Sequence, residues 1–188
     1  MEILELLNSG SQELKNKKIN SYQLDSEILL AKILNKKREE LLINLDRKVS
    51  FETIQNFKKL IKRRSSKEPI AYIVKKKEFW SKNFIVDKNT LIPRPETELM
   101  VEKLVKIFKE KKINILDIGT GTGCILLSIL FELKNSRGIG LDISQKAIKI
   151  AIKNSIKHKL VNRAKFFRKS FIDIYNYKFD LIVSNPPY

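Results

Sequence analysis

Residues 113–123 read Ile-Asn-Ile-Leu-Asp-Ile-Gly-Thr-Gly-Thr-Gly, and this stretch decides the fold that the sequence predicts. Its first part, residues 113–118, has the length and the β-branched content of a buried strand. Three alternating glycines follow, and they let backbone N–H groups approach a ligand at the beginning of the next helix. Their spacing differs from the Gly-x-Gly-x-x-Gly spacing of dinucleotide-binding proteins. The stretch therefore predicts a strand, a ligand-binding glycine loop and a helix.

Strands and helices alternate through the rest of the chain. The pattern predicts helices at residues 124–133 and 145–157, and further strands at residues 138–143, 164–167 and 180–184. Alternation of this kind is typical of a parallel sheet covered by helices. We therefore assign the chain to the α/β class.

The N-terminal part is predicted to contain helices only. Apolar residues recur there at helical spacing in four short segments, which can bury their apolar faces only against one another, as a small bundle. We expect Ser9-Gly10-Ser11 to interrupt the first helix. Asn20 with Gln23 has the spacing of a capping box for the second helix, and Ser50 is expected to cap the last one.

A β-hairpin is predicted between the helical part and the α/β part. Aromatic and β-branched residues at 79–80 and 84–86 flank a polar turn at residues 81–83. Pro93 and Pro95 then hold the chain extended, and Thr97 is expected to cap the next helix. The resulting domains are a helical domain at residues 1–73, a hairpin linker at residues 74–95 and a ligand-binding domain at residues 96–188.

Composition excludes several classes of protein. The apolar runs are only a few residues long, whereas a membrane span needs about 20, and the acidic start Met1-Glu2-Ile3-Leu4-Glu5 lacks the chemistry of a signal peptide. A single cysteine, Cys124, excludes an internal disulfide and a cysteine-cluster zinc site. We expect a cytoplasmic protein without a metal, Cys124 as a small buried residue, and His158 as a solvent-exposed residue without a catalytic role.

The net charge of +17 has two interpretations. A basic chain can attract an anionic partner, such as one associated with the ribosome. The lysines are, however, spread along the chain and far outnumber the arginines, whose forked donors are the better sign of phosphate recognition. A lysine-rich composition on solvated faces is therefore the favoured interpretation.

Asp142 ends the second predicted strand of the sheet, 23 residues after Gly119. A carboxylate at this position can accept hydrogen bonds from both hydroxyls of a ribose. The alternative is that Asp142 simply caps the following helix. Together with the glycine loop it favours a nucleoside ligand, and Asp117, which opens the loop, favours one with a cationic end.

The motif Asn185-Pro186-Pro187-Tyr188 follows the last predicted strand. An amide or aromatic amine nitrogen is a poor nucleophile because its lone pair is delocalised, so it must be held and aimed. The side-chain oxygen of Asn185 and the carbonyl of Pro186 can accept its two N–H groups, and neither proline has an N–H that competes. Tyr188 offers a flat face for packing. The motif predicts methylation of a planar nitrogen.

In this order the motifs resemble class I methyltransferases, and the N-terminal half narrows the resemblance. Ile92-Pro93-Arg94-Pro95-Glu96-Thr97-Glu98 is similar to the hallmark segment of bacterial release-factor glutamine methyltransferases, the HemK-type family. Residues 25–31 and 69–73 are similar to the helical domain and the hairpin entry of that family. The resemblance implies a Rossmann-like methyltransferase domain that is partial here and lacks its C-terminal strands.

The resemblance also implies a function and its site residues. The family transfers a methyl group from S-adenosylmethionine (AdoMet), giving S-adenosylhomocysteine, to the glutamine side chain in the Gly-Gly-Gln motif of class 1 peptide-chain release factors, which its helical domain engages. We expect a monomer that needs neither membrane nor nucleic acid, and direct transfer without a covalent enzyme intermediate. The AdoMet contacts then fall on Gly119, Thr120, Gly121, Thr122, Gly123, Asp142, Ser170 and Asn185. Glutamine binding falls on Asn185, Pro186, Pro187 and Tyr188, with Asn185 and Pro186 as catalytic residues.

Two departures from the family pattern accompany this interpretation. Lys169-Ser170-Phe171 stands where the family usually has an acidic residue followed by a bulky one, and we expect the missing carboxylate to weaken adenine selection. Lys75 replaces a common glycine, so the hairpin entry is expected to bend differently.

Three alternatives stay open. The motif at residues 185–188 also serves adenine-N6 methyltransferases of DNA or RNA, and related enzymes methylate a glutamine of a ribosomal protein. The chain ends where the family continues, so it is expected to be inactive alone, as a fragment that binds only AdoMet or the release factor.

Overall fold

The computed structural model describes residues 1–174 and 177–186. The chain forms two compact units, Met1–Val74 and Lys75–Tyr188, and the hairpin belongs to the second of them. Within the described residues, no helix is long and apolar enough to cross a membrane.

The first unit is helical, as predicted. Its elements are α1 (Ile3–Asn16), α2 (Tyr22–Leu34), α3 (Arg38–Leu42), α4 (Phe51–Ser65) and α5 (Ile70–Val74). Their apolar faces form one core, to which Leu14, Leu29 and Phe57 contribute fully buried side chains. The hydroxyl of Ser50 accepts a hydrogen bond from the N–H of Thr53 at 3.2 Å, which confirms the predicted cap of α4. The sequence did not predict α5, because five residues are too few to show helical periodicity.

Helix α1 runs through Gly10 without a break, so the predicted interruption is wrong. Gly10 is the point of close approach between helices. A Cβ atom added there would lie 2.6 Å from the ring of Phe57 and 2.9 Å from the hydroxyl of Ser26. That hydroxyl donates to the carbonyl of Leu7 at 3.0 Å. The glycine therefore serves packing between helices, and its low helix propensity is outweighed by that contact.

The predicted capping box at Asn20 is also wrong, because α2 begins one residue later with Ser21 at its N-cap. The Ser21 hydroxyl donates to Asp25 Oδ2 at 2.8 Å. The same oxygen accepts from Arg64 Nε of α4 at 2.7 Å, in an ion pair whose side chains are 16% and 3% exposed. A buried carboxylate needs such partners. The first turn of α2 is thus tied to a residue of α4 that lies 39 positions further along the chain.

The second unit begins with an antiparallel hairpin of β1 (Lys76–Phe79) and β2 (Lys82–Ile85). Its two-residue turn is Trp80-Ser81, with φ angles of +52° and +51°. Positive φ at both central residues is the geometry that matches the twist of a hairpin. The predicted hairpin exists, but the predicted turn at residues 81–83 is misplaced. Lys75, which replaces a glycine of the family pattern, has a φ of +58° and so adopts a glycine-like conformation.

The α/β class is confirmed. After α6 (Thr97–Ile107) come β3 (Asn114–Ile118), α7 (Cys124–Glu132), β4 (Arg137–Asp142), α8 (Gln145–Lys157), β5 (Ala164–Arg168), a 3-10 turn (Phe171–Asp173) and β6 (Leu181–Ser184). The described strands β3 to β6 pair in parallel in the order β5-β4-β3-β6. The strand order therefore reverses between β3 and β6.

The core of the second unit centres on α7, whose residues 124–130 are all buried. Helices α7 and α8 pack on the sheet, and α6 packs on α7. Thr97 is the first residue of α6, with Glu96 at the N-cap position. The expected capping role of Thr97 is therefore wrong, and its hydroxyl is used elsewhere.

Gly10→Ala is expected to destabilise the helical unit by about 1–3 kcal/mol, because the added methyl group would overlap the buried ring of Phe57. In an uncrowded helix the same change would be stabilising by up to about 1 kcal/mol. Urea unfolding followed by circular dichroism measures the free energy. Ser9→Ala, at an exposed neighbouring position of α1, is the control and is expected to be neutral or slightly stabilising. A stabilising Gly10→Ala would show that the helices can separate freely at this point.

Candidate active site

A cavity of about 480 Å³ lies at the carboxyl ends of the parallel strands. Its lining draws on the segments that follow all four of them: Gly119 and Gly121 after β3, Asp142 at the end of β4, Ser170 after β5 and Asn185 after β6. Open α/β sheets bind ligands at this edge, where the strand order reverses. The tertiary structure thus brings together five of the predicted site residues.

Three apolar side chains that the sequence analysis did not predict also line the cavity. Leu91, Ile143 and Phe171 line the cavity and are 50%, 76% and 59% exposed. Such surfaces suit the flat face of a purine ring. Residues 89–91 also line the cavity, although they precede the glycine loop by almost thirty positions. No motif in the sequence marked this segment, since only the fold brings it to the loop.

The glycine loop adopts backbone conformations that other residues rarely take. Gly119, Gly121 and Gly123 have φ angles of +70°, +54° and +77°. The N–H of Thr120 donates to the carbonyl of Leu141 at 2.8 Å, which ties the loop to β4. The described lining of the cavity does not include Thr120, Thr122 or Gly123.

The two threonines of the loop are buried and support it from below. Thr120 Oγ1 donates to Asp117 Oδ2 at 2.7 Å, and the carbonyl of Thr122 accepts from the side chain of Asn154 at 2.9 Å. Gly123 occupies the N-cap position of α7. The structure therefore places these three predicted cofactor residues in the support of the loop.

Asp142 is half-buried at the cavity, and its carboxylate already accepts two hydrogen bonds from the backbone. Its Oδ2 accepts from the N–H of Gly121 at 3.0 Å and its Oδ1 from the N–H of Ser144 at 2.8 Å. A carboxylate has about four lone-pair positions, so about two remain for a ligand. The N-cap of α8 is Ser144, whose hydroxyl accepts from the N–H of Ala147 at 3.2 Å, so the alternative that Asp142 caps this helix is wrong.

Asp117 lies beneath the glycine loop and is fully buried. Its Oδ1 has no hydrogen-bond partner among the residues that the structure describes. Burial raises the pKa of this carboxyl to about 7, and the nearby charge of Asp142 adds to the effect. A cationic ligand group bound above the loop would offset the cost of this charge.

Asn185 follows β6 and contributes to the cavity lining. Its side-chain Nδ2 donates to Thr97 Oγ1 at 3.3 Å. The preceding Ser184 donates from its hydroxyl to the carbonyl of Ile118 at 3.0 Å, which fixes the end of β6 to β3. Pro186 is exposed beside it. The predictions for Pro187 and Tyr188 lie outside the described residues.

Asn154 of α8 is a residue that sequence reasoning missed. Its buried side chain accepts from the N–H of Ile85 at 2.7 Å, donates to the carbonyl of Ile85 at 3.0 Å and donates to the carbonyl of Thr122. It therefore joins the hairpin, the glycine loop and α8. An asparagine among lysines looks like a surface residue in the sequence, so no local signal could have identified it.

The other two candidate reactive groups lie outside the cavity lining. Cys124 is buried at the start of α7, as expected, and burial raises the pKa of its thiol to about 12. The predicted exposure of His158 is wrong, because its ring packs 4.9 Å from the Phe84 ring and 5.3 Å from the Phe131 ring, measured between centroids. Burial lowers the pKa of this imidazole. Among the described residues, no cluster of three or more His, Cys, Asp or Glu side chains could hold a metal ion.

Two family models match the chain and together cover most of it. Residues 5–74 match the PrmC N-terminal domain, and residues 95–188 match the methyltransferase small domain. Among solved structures, a SAM-dependent methyltransferase from Agrobacterium tumefaciens aligns with a TM-score of 0.52 at 17% identity, over 60% of this chain and 39% of that one. This likeness concerns the fold alone.

Three curated relatives illustrate the relationship. A bifunctional methyltransferase of Rickettsia typhi is 42% identical over 99% of this chain, which spans 40% of its length. The release factor glutamine methyltransferase of Leptospira interrogans is 41% identical over 99% of this chain, which spans 67% of that protein. The enzyme of the same name from Buchnera aphidicola (subspecies Baizongia pistaciae) is 40% identical over the whole chain, which spans 68% of it.

The raised pKa of Asp117 predicts a pH dependence of stability in the ligand-free chain. Because its folded pKa lies above the ordinary value of 3.8, its contribution is fully present below that value and is lost as pH rises to about 7. Relative to Asp117→Asn, the wild-type free energy of unfolding is expected to fall by about 4 kcal/mol between pH 4 and pH 8. Urea titrations at several pH values measure the difference, and a pH-independent difference would contradict the burial of an unpaired charge.

Proposed function

We propose a function for this chain from one premise: the chain belongs to the release factor glutamine methyltransferase family. The chain transfers a methyl group from AdoMet to the side-chain amide nitrogen of the glutamine in the Gly-Gly-Gln motif of class 1 peptide-chain release factors. The observation that carries the proposal is one cavity lined by the glycine loop, Asp142 and Asn185. At this cavity the glycine loop and Asp142 can bind a nucleoside, and Asn185 can accept a hydrogen bond from a substrate amide.

The residues present fit AdoMet. When bound, AdoMet supplies the methyl group in electrophilic form, on a sulfonium. Gly119 and Gly121 leave room for the amino-acid end, and the unpaired oxygen of Asp117 beneath them complements its positive charge. The remaining lone pairs of Asp142 accept the ribose hydroxyls. Ser170, held by a hydrogen bond from its N–H to Asp173 Oδ2 at 3.0 Å, lines the adenine side.

The glutamine amide is held by Asn185 and Pro186. The side-chain oxygen of Asn185 and the carbonyl of Pro186 accept its two N–H groups and keep its nitrogen aimed. Alignment of this kind can lower a barrier by about 7–11 kcal/mol. The proton leaves the nitrogen for water after methyl transfer, so no strong general base is required at the cavity.

The helical unit is assigned to docking of the release factor. Its match to the PrmC N-terminal domain, separate from the methyltransferase match, supports a role other than cofactor binding. A release factor as substrate also places the chain in the cytoplasm, where translation takes place.

The proposal is tested by incubating the chain with radiolabelled AdoMet and an unmethylated release factor or, separately, duplex DNA. The Leptospira interrogans relative serves as the positive control. Label in the Gly-Gly-Gln glutamine, located by mass spectrometry, is the result that the proposed function predicts, in contrast to the inactivity that the sequence alone led us to expect. Label in DNA alone would contradict the proposal that the substrate is a release factor. A chain that binds AdoMet but labels neither, beside an active control, would support only the cofactor site.

Asp142→Ala is expected to weaken AdoMet binding at least about tenfold, because it removes charge-assisted hydrogen bonds to the ribose. Isothermal titration calorimetry on the chain measures the affinity. Glu102→Ala is the matched control, since Glu102 is an exposed carboxylate that forms an ion pair with Lys106 at the surface. If the Asp142→Ala variant and the control bound AdoMet with equal affinity, Asp142 would not be a cofactor-binding residue.

Asn185→Ala is expected to lower the turnover number for release-factor methylation by about 100-fold or more, since the amide nitrogen loses an acceptor that aims it. AdoMet affinity should change by a much smaller factor, because Asp142 and the loop are untouched. Single-turnover transfer of label gives the rate, and calorimetry gives the affinity. Near-normal turnover would show that another group orients the glutamine.

A further inference from the structure

The orientation of the Asn185 amide decides whether it can hold the substrate. The oxygen and the NH₂ group of an asparagine have nearly the same shape but opposite hydrogen-bonding character. The amide can turn by about 180° about its terminal torsion, which has two broad minima. In one orientation the oxygen faces the glutamine nitrogen. In the other, two NH₂ groups face each other, and the glutamine is repelled.

One contact distinguishes these orientations. Asn185 Nδ2 donates to the hydroxyl oxygen of Thr97 at 3.3 Å. Both residues are half-buried, and the described lining of the cavity includes Asn185 without Thr97. With its nitrogen directed to Thr97, the amide turns its oxygen to the opposite side. Thr97 is therefore connected to the described lining of the cavity through Asn185.

Both ends of this contact are fixed by the fold. Thr97 begins α6, and its N–H donates to the carbonyl of Arg94 at 3.1 Å. The next residue, Glu98, accepts from the N–H of Trp80 in the hairpin turn at 2.9 Å through its side chain. On the other side, Ser184 anchors the end of β6 to β3. The threonine hydroxyl is thus held at a set position beside Asn185.

We propose that Thr97 is a positioning residue that holds the Asn185 side-chain oxygen toward the substrate amide. The inference rests on the proposed function and assigns a physical role to the segment at residues 92–98, which the sequence marked only by its resemblance. It also explains why the Thr97 hydroxyl does not cap α6.

The kinetic test compares Thr97→Val, which keeps the shape of the side chain and removes its hydroxyl, with Thr97→Ser, which keeps the hydroxyl. We expect kcat/KM for the release factor to fall about three- to tenfold in Thr97→Val, the effect of one lost hydrogen bond. Thr97→Ser should restore most of it, and AdoMet affinity should be unchanged in both. A Thr97→Val value within twofold of wild type, or a parallel loss of AdoMet affinity, would overturn the proposal.

A second measurement needs no catalytic activity. Nuclear Overhauser contacts are recorded between the Asn185 Nδ2 protons and residue 97 in the labelled chain, with Asn185→Asp identifying the amide signals by their loss. The contacts are expected in wild type and Thr97→Ser and should be weakened in Thr97→Val. Their absence from wild type, or their persistence in Thr97→Val, would overturn the proposal. A wild-type chain that fails to methylate a release factor but shows these contacts would refute the proposed function and leave the positioning contact established.

Discussion

The site depends on the side chain of Asn154, a buried amide that forms hydrogen bonds with three backbone groups. It bonds both polar groups of Ile85 at the end of the hairpin and one carbonyl of the glycine loop. Buried backbone groups must find partners, and the carbonyl of Thr122 in the glycine loop finds its partner in the side chain of Asn154. Because one rigid side chain serves the hairpin and the loop together, the loop is held in place before any ligand arrives.

The loop that Asn154 supports carries an electrostatic cost. Asp117 is buried beneath it with one oxygen unpaired, and Asp142 stands beside it with its carboxylate bonded to Gly121. Burial raises the pKa of the Asp117 carboxyl, and the nearby charge of Asp142 adds to the effect. The arrangement is unfavourable in the free chain, and a cationic group bound above the loop would offset that cost. The buried carboxyl of Asp117 therefore lowers the stability of the free chain at the proposed binding site, as is common at functional sites.

The hallmark segment meets Asn185, the first residue of the Asn-Pro-Pro-Tyr motif, through the first turn of α6. Glu98 holds the hairpin turn at Trp80, and Thr97 holds Asn185. The hairpin thus has a role in the site although it contributes no lining residue between Lys76 and Ile85. A segment whose conformation is fixed on both sides can orient an amide that would otherwise turn freely.

Local patterns determined much of this protein. Periodicity predicted the helical unit and the α/β sheet, and residue chemistry marked the glycine loop, Asp142 and Asn185, because strands, glycine turns and strand-end carboxylates are specified by neighbouring residues. Only the tertiary structure decided the rest. Gly10 lies in a helix where it packs against Phe57, Asp25 in the first turn of α2 pairs with Arg64, and His158 lies against Phe84 and Phe131. Asn154 and Thr97 gain their roles in the same way, through partners 32 to 88 positions distant along the chain. Contacts at such separations leave no periodic trace in the sequence, since they depend on how finished elements pack.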